Sequence, residues 1–146
     1  MRMKRWATVA ALWAVALGVC SPARALDPSA DVRATPLLKT TTSWNGQALA
    51  YPSGPAEVTG LLIEIAPGAE TGWHLHPVAS LAMVLEGELE VRLESGEVKR
   101  VKAGDAFAEV VNTLHNGRNV GSTPVKLVVF YTGAVGQQLT VKKDTH

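Results

Sequence analysis

The sequence holds one cysteine, Cys20, few aromatic residues (5% of 146) and no run of like charge. Each scarcity excludes something. A lone cysteine allows no disulfide framework. Basic residues scattered along the chain do not form the clustered positive face of a nucleic-acid binder. Beyond the first 25 residues no stretch of ten or more residues repeats apolar positions every 3.6 residues, which argues against a helical domain. The longest apolar run, residues 6–19, is 14 residues, too short to cross a bilayer comfortably. What remains is a chain of one domain's length, 47% hydrophobic and 18% charged, a composition that fills a core and does not stay disordered.

The first 25 residues have the layout of a secretory signal peptide. Arg2, Lys4 and Arg5 make a positive start, the apolar run follows, and Ala23-Arg24-Ala25 ends it with small residues at both cleavage positions. Cutting between Ala25 and Leu26 predicts a periplasmic or secreted protein. Leu17-Gly-Val-Cys20 also resembles a lipoprotein box, with Val19 where a small residue is usual. Cleavage removes four of the 14 basic residues and none of the 13 acidic ones, so the net charge becomes −3. It also removes Cys20, leaving a mature chain without sulfur nucleophiles.

Residues 26–36 read as an extended arm, and residues 37–146 as the single domain. Short strands recur there between turns. Residues 37–51 are strand-like around Asn45-Gly46, a strong hairpin signal. Residues 56–66 end at Pro67-Gly68, and residues 81–85 form a buried apolar run. Residues 88–94 and 97–102 alternate charged and apolar side chains, the period of a half-buried strand. Residues 106–111 and 125–132 follow as strands, with residues 139–141 as a final edge. The fold expected is all-β, an antiparallel sandwich or barrel.

Chemistry concentrates in His74, His76 and His115. In a strand, residues i and i+2 share a face about 6.6 Å apart, so His74 and His76 can converge on one ion. His115, two hairpins further on, can return beside them. Three imidazoles leave the open side that catalytic metals use. His146 ends the chain.

The surrounding residues resemble the cupin family. Gly68, five residues, His74-Leu75-His76, three residues, Ser80, six residues and Gly87 follow its first motif; Gly104, Val110, Asn112, His115 and Asn119 follow its second. The resemblance implies a cupin-type antiparallel β-barrel (a double-stranded β-helix, or jelly roll). It carries His74, His76 and His115 over as ligands of one divalent transition metal, with Fe, Mn, Ni, Zn and Cu all open. Two departures stand out. Ser80 occupies the place of the usual metal-binding glutamate, and Val110 and Asn112 replace a proline and a glycine. A three-histidine face is similar to that of cupins that activate dioxygen.

Glu109, odd in an apolar strand, either points inward as a substitute ligand or base, or outward to solvent. Tyr131 either reaches the pocket as a proton donor or packs in the core. Trp73 and Phe107 read as wall or mouth aromatics, Glu70 and Glu86 as surface residues. The function expected is a metal-dependent small-molecule enzyme of dioxygenase-like type; the alternative is a non-catalytic metal- or ligand-binding, or structural, module. The expected partners are a small-molecule substrate or ligand and, by family analogy, a second copy in a homodimer. No nucleic acid is expected, and no membrane after cleavage.

Overall fold

The structure, a computed structural model, describes residues 31–143. The signal peptide, residues 26–30 of the arm and His146 lie outside the described residues. A compact unit begins at Pro36.

That unit holds nine strands among the described residues: β1 (Ala56–Ile65), β2 (His74–Leu75), β3 (Ala79–Glu86), β4 (Glu88–Leu93), β5 (Val98–Lys102), β6 (Ala106–Ala108), β7 (His115–Asn119), β8 (Val125–Ala134) and β9 (Val141–Lys142). They form two antiparallel sheets, in the orders β1-β8-β3-β6 and β5-β4-β7-β2-β9. Apart from the β4–β5 hairpin the chain changes sheet at every step. This is the all-β jelly roll that the strand pattern and the motifs predicted.

Alternation in the sequence becomes alternation in burial. Along β8, Val125, Leu127, Val129 and Tyr131 are buried while Lys126, Val128 and Phe130 are not. These residues meet Ile65, Val84, Leu89, Val91 and Val101 between the sheets. Each such side chain removed from water contributes about 1.5–3 kcal/mol.

Two motif residues have structural work that their spacing alone did not reveal. Gly87, at φ +81, turns β3 into β4, and a Cβ there would lie 2.7 Å from the Pro124 carbonyl oxygen. Asn119 is 1% exposed. Its amide donates to the carbonyls of Ile65 (2.9 Å) and Thr123 (2.8 Å), and its oxygen accepts from the Gly121 N–H (2.9 Å). The ends of β1 and β7 are thereby fastened together.

Three predicted strands are shorter than the sequence implied. Residues 37–51 form a turn at Asn45-Gly46, closed by the Ser43 N–H to Gln47 carbonyl bond (2.8 Å), but keep only one bridge, Thr42 to Ala48. The segment spends other backbone groups elsewhere, as in Trp44 N–H to the Ala108 carbonyl (3.0 Å). β6 stops at Ala108 because Asn112 takes a left-handed conformation (φ 50) and its N–H turns to the His76 carbonyl. β9 starts only at Val141, because the Leu139 carbonyl accepts from the His76 ring.

The outer faces of the two sheets differ. On the sheet containing β4, Glu90 pairs with Arg92 (2.9 Å) and Arg100 (3.0 Å), and Arg118 lies 3.6 Å from Glu70. The two guanidiniums hold the Glu90 carboxyl below the usual carboxylate range. On the sheet containing β8, cross-strand rows run Leu62–Val128–Met83 and Gly60–Phe130–Leu81, with the Phe130 ring against Gly60. The first face is charged; the second is apolar along these two rows and bordered by the charged row Glu64–Lys126–Glu86.

Candidate metal centre

β2 and β7 lie side by side with His74 directly opposite His115. His76, two residues on, turns the same way as His74. The three rings cluster with centroids 4.4–5.0 Å apart, and one ligand atom from each lies within 4.8 Å of the others. A group this close could hold one metal ion.

Each ring is held by a backbone carbonyl. Nδ1 contacts Gly72 O at 2.7 Å in His74, Leu139 O at 2.9 Å in His76 and Thr113 O at 2.8 Å in His115. A carbonyl only accepts, so Nδ1 carries the hydrogen in all three. In the neutral ring Nε2 then presents its lone pair, the tautomer a metal ligand needs. Burial keeps the rings neutral. Desolvation lowers the pKa of His74, and takes His76 and His115 down to about 4, against the backbone hydrogen bonds that favour protonation.

Glu109 is 7% exposed and points inward, with Oε2 3.3 Å from His115 Nε2. That oxygen has no hydrogen-bond partner. Desolvation pushes the carboxyl up to about 7. A carboxylate oxygen facing a nitrogen lone pair needs a proton or a cation between them, so the arrangement fits a metal ion. Tyr131 stacks edge-on to His76 at 5.1 Å. Burial, with the nearby Glu109 charge, raises its hydroxyl pKa.

These groups share an inter-sheet cavity of about 60 Å³, walled by Ile63, Ile65, Leu89, Val91, Leu127 and Val129. No lysine or arginine lines it. A wider groove of about 630 Å³ runs past Tyr51, Asn112 and Gln137, but no histidine or carboxylate lines that space.

Of the residues singled out in the sequence, His74, His76, His115, Glu109 and Tyr131 are brought together. Phe107 packs in the core away from the cavity. Trp73 lines an outer groove with Glu90, Arg92 and Arg118. Glu70 and Glu86 are exposed, the latter paired with Lys126 at 3.2 Å. Ser80 is fully buried with an unpartnered hydroxyl. The carbonyls of Gly72, Thr113 and Leu139 had no sequence signal, since every residue has a carbonyl.

Residues 61–131 match the family model for the cupin domain. They are a cupin domain. The cupin is 37% identical over 51 residues to an (R)-mandelonitrile lyase of Granulicella tundricola, covering 35% of this chain and 39% of that protein. It is 35% identical over 77 residues to the oxalate oxidase GF-3.8 of Triticum aestivum, covering 47% and 34%. The chain thus spans little more than a third of the length of the curated relatives it matches. Among solved structures, a DMSP lyase of Ruegeria pomeroyi superposes with a TM-score of 0.52 at 21% identity, covering 59% of this chain and 43% of that one. An uncharacterized double-stranded β-helix protein of Klebsiella pneumoniae gives 0.50 at 24% identity, covering 67% and 83%. Both likenesses concern the fold. Three histidines of this cupin are positioned to hold a metal ion.

Proposed function

We propose that this cupin is an exported enzyme that holds one divalent transition metal through His74, His76 and His115 and transforms a small molecule beside it by dioxygenase-like chemistry. The observation that carries the reading is the set of three Nε2 lone pairs, each aimed by a backbone hydrogen bond, in one apolar cavity. When bound, the ion supplies a positive charge and open coordination positions for substrate or oxygen. The chain supplies neutral imidazoles, a largely apolar wall, and two polar groups beside the trio, Glu109 and Tyr131, of which the Tyr131 hydroxyl can hand on a proton. A space of about 60 Å³ is far below the roughly 300–1,000 Å³ of drug-sized sites, so only a small molecule, or its reacting end, enters.

Two features support turnover over a passive binding module. Glu109 and Tyr131 both line the cavity that holds the histidines, whereas a wall entirely apolar beyond the trio would leave proton transfer without an agent. The lyase and oxidase names of the relatives belong to enzymes acting on small molecules. The same two groups support a second reading, metal-assisted lyase chemistry.

Elemental analysis of the purified protein, beside His74→Ala and His115→Ala, tests the core of the proposal. One ion per chain is expected, with loss in both variants; a metal-free wild type, or variants that retain the metal undiminished, overturns it. Exposing the iron(II)-loaded protein to nitric oxide then separates the two chemistries. A paramagnetic adduct supports an open position for oxygen, and its absence leaves the lyase reading.

Export rests on the leader sequence, and an amino terminus at Leu26 in periplasmic or secreted material checks it. Pairing with a second copy has its own support in the outer face of the β1-β8-β3-β6 sheet. Val58, Leu62, Leu81, Leu85 and Phe130 are each between 38% and 63% exposed there. Side chains of this size show on the order of 100 Å² each when half exposed. With Met83 and Val128 beside them, two copies joined face to face bury about 1,000–1,200 Å², the lower bound of a specific interface.

A further inference from the structure

We propose that Glu109 is the fourth protein ligand of the metal, supplied from β6's end of the sheet in place of the carboxylate missing at Ser80. This rests on the three-histidine metal site proposed above and completes it. The β3–β6 ladder sets Leu81 opposite Ala108, and the next pair along is Ser80 and Glu109, joined by the Glu109 N–H to Ser80 carbonyl bond at 2.9 Å. Directly paired residues of an antiparallel ladder project to the same face. The carboxylate has therefore moved one strand sideways, and both positions still look into the space between the sheets.

The spacing between Glu109 and His115 fits a shared ion, although the group whose ligand atoms all lie within 4.8 Å of one another is the three histidines without Glu109. Two donors about 2.1 Å from one metal lie about 3.0 Å apart at a right angle and about 3.4 Å apart at the tetrahedral angle. His115 Nε2 and Glu109 Oε2 are 3.3 Å apart. That oxygen makes no hydrogen bond, and no cationic side chain lines the cavity to neutralise it. Ser80 is 0% exposed and its hydroxyl is unpartnered, so it too gains nothing from its surroundings as a polar group. What it provides is small size. Glutamates at both 80 and 109 would set two carboxylates side by side in a desolvated space, an arrangement that cannot stay doubly ionised. Serine at one position and glutamate at the other resolves the conflict.

The test is cobalt(II) binding to the full mature chain, by chelator competition and visible spectrum, in wild type, Glu109→Gln, His115→Ala and the double variant Ser80→Glu/Glu109→Ala. Thermal melts confirm that each is folded. Glu109→Gln keeps shape and removes the charge. It should weaken binding by at least about 10–100-fold, the range seen when even an outer-shell partner is lost, and alter the cobalt spectrum. Ser80→Glu/Glu109→Ala should recover affinity to within about tenfold of wild type, because it restores a carboxylate to the opposite rung. If wild type and Glu109→Gln bind within about twofold of each other with the same spectrum, while His115→Ala loses the ion, Glu109 is not a ligand and only this inference falls. A folded double variant that recovers nothing overturns the cross-strand exchange. If wild type itself binds no cobalt, the metal site proposed above falls with it.

Discussion

Acidifying the metal-free protein from pH 7 to pH 5 should destabilise it, because the histidine cluster is folded around neutral rings. His76 and His115 are 5% and 2% exposed, and desolvation sets their pKa at about 4. In the unfolded chain each titrates near about 6.5. Over this interval the unfolded state takes up protons that the native state refuses, so falling pH favours unfolding. Linkage gives about 2 kcal/mol per ring and about 4 kcal/mol for the two, and His74 shifts in the same direction. Glu109 acts oppositely. Its native pKa of about 7 lies above its unfolded value, so the native state gains a proton on acidification and recovers about 2 kcal/mol. The net loss for wild type is then about 2 kcal/mol, and Glu109→Gln, lacking the offset, should lose about 4 kcal/mol. Urea unfolding followed by circular dichroism reads both. With a slope of about 1–3 kcal/mol per molar, the midpoint should fall by about 1 M in wild type and about 2 M in the variant. A midpoint that holds or rises on acidification, or a variant less pH-sensitive than wild type, would refute the picture of a desolvated, neutral trio beside a protonated carboxyl. Metal, which binds only the native state and only deprotonated ligands, should raise stability at both pH values but leave the loss on acidification at least as large as in the metal-free protein.

Other perturbations probe the frame. Asn119→Ala removes three side-chain hydrogen bonds, one of them to the buried Ile65 carbonyl, and should cost about 2–4 kcal/mol in urea unfolding; a loss below about 1 kcal/mol would mean that the clamp is dispensable. Gly87→Ala places a Cβ 2.7 Å from a carbonyl oxygen at positive φ, and should destabilise by about 3 kcal/mol or leave the chain unfolded. Wild type should run as a dimer in sedimentation velocity and the pair Leu62→Asp and Phe130→Asp as a monomer; wild type running as a monomer at micromolar concentration removes the face-to-face proposal. Both positions lie on the outer side of the sheet, so metal content should be unchanged in that variant.

Periodicity and spacing determined much of this protein without coordinates. Period-two alternation in residues 88–102 and 125–132 specified half-buried strands, because side chains of a strand face opposite sides in turn. His74, His76 and His115 in register with Gly104 and Asn119 pointed to the family and to a candidate trio, since turn glycines and histidine spacing are local properties of the chain. Which way Glu109 points was not local. An isolated glutamate in an apolar strand satisfies the alternation rule on either face, and its inward position follows only from pairing with Ser80 on β3. The carbonyls that fix each imidazole tautomer were equally invisible. Leu139 lies 63 residues from His76 and reaches it only because β9 folds back beside β2. Tertiary structure alone decided which sheet face is charged and which is apolar, because that depends on which strands become neighbours. The sequence set the types and spacing of the chemical groups; the fold set their company, and with it their protonation and the space left for an ion.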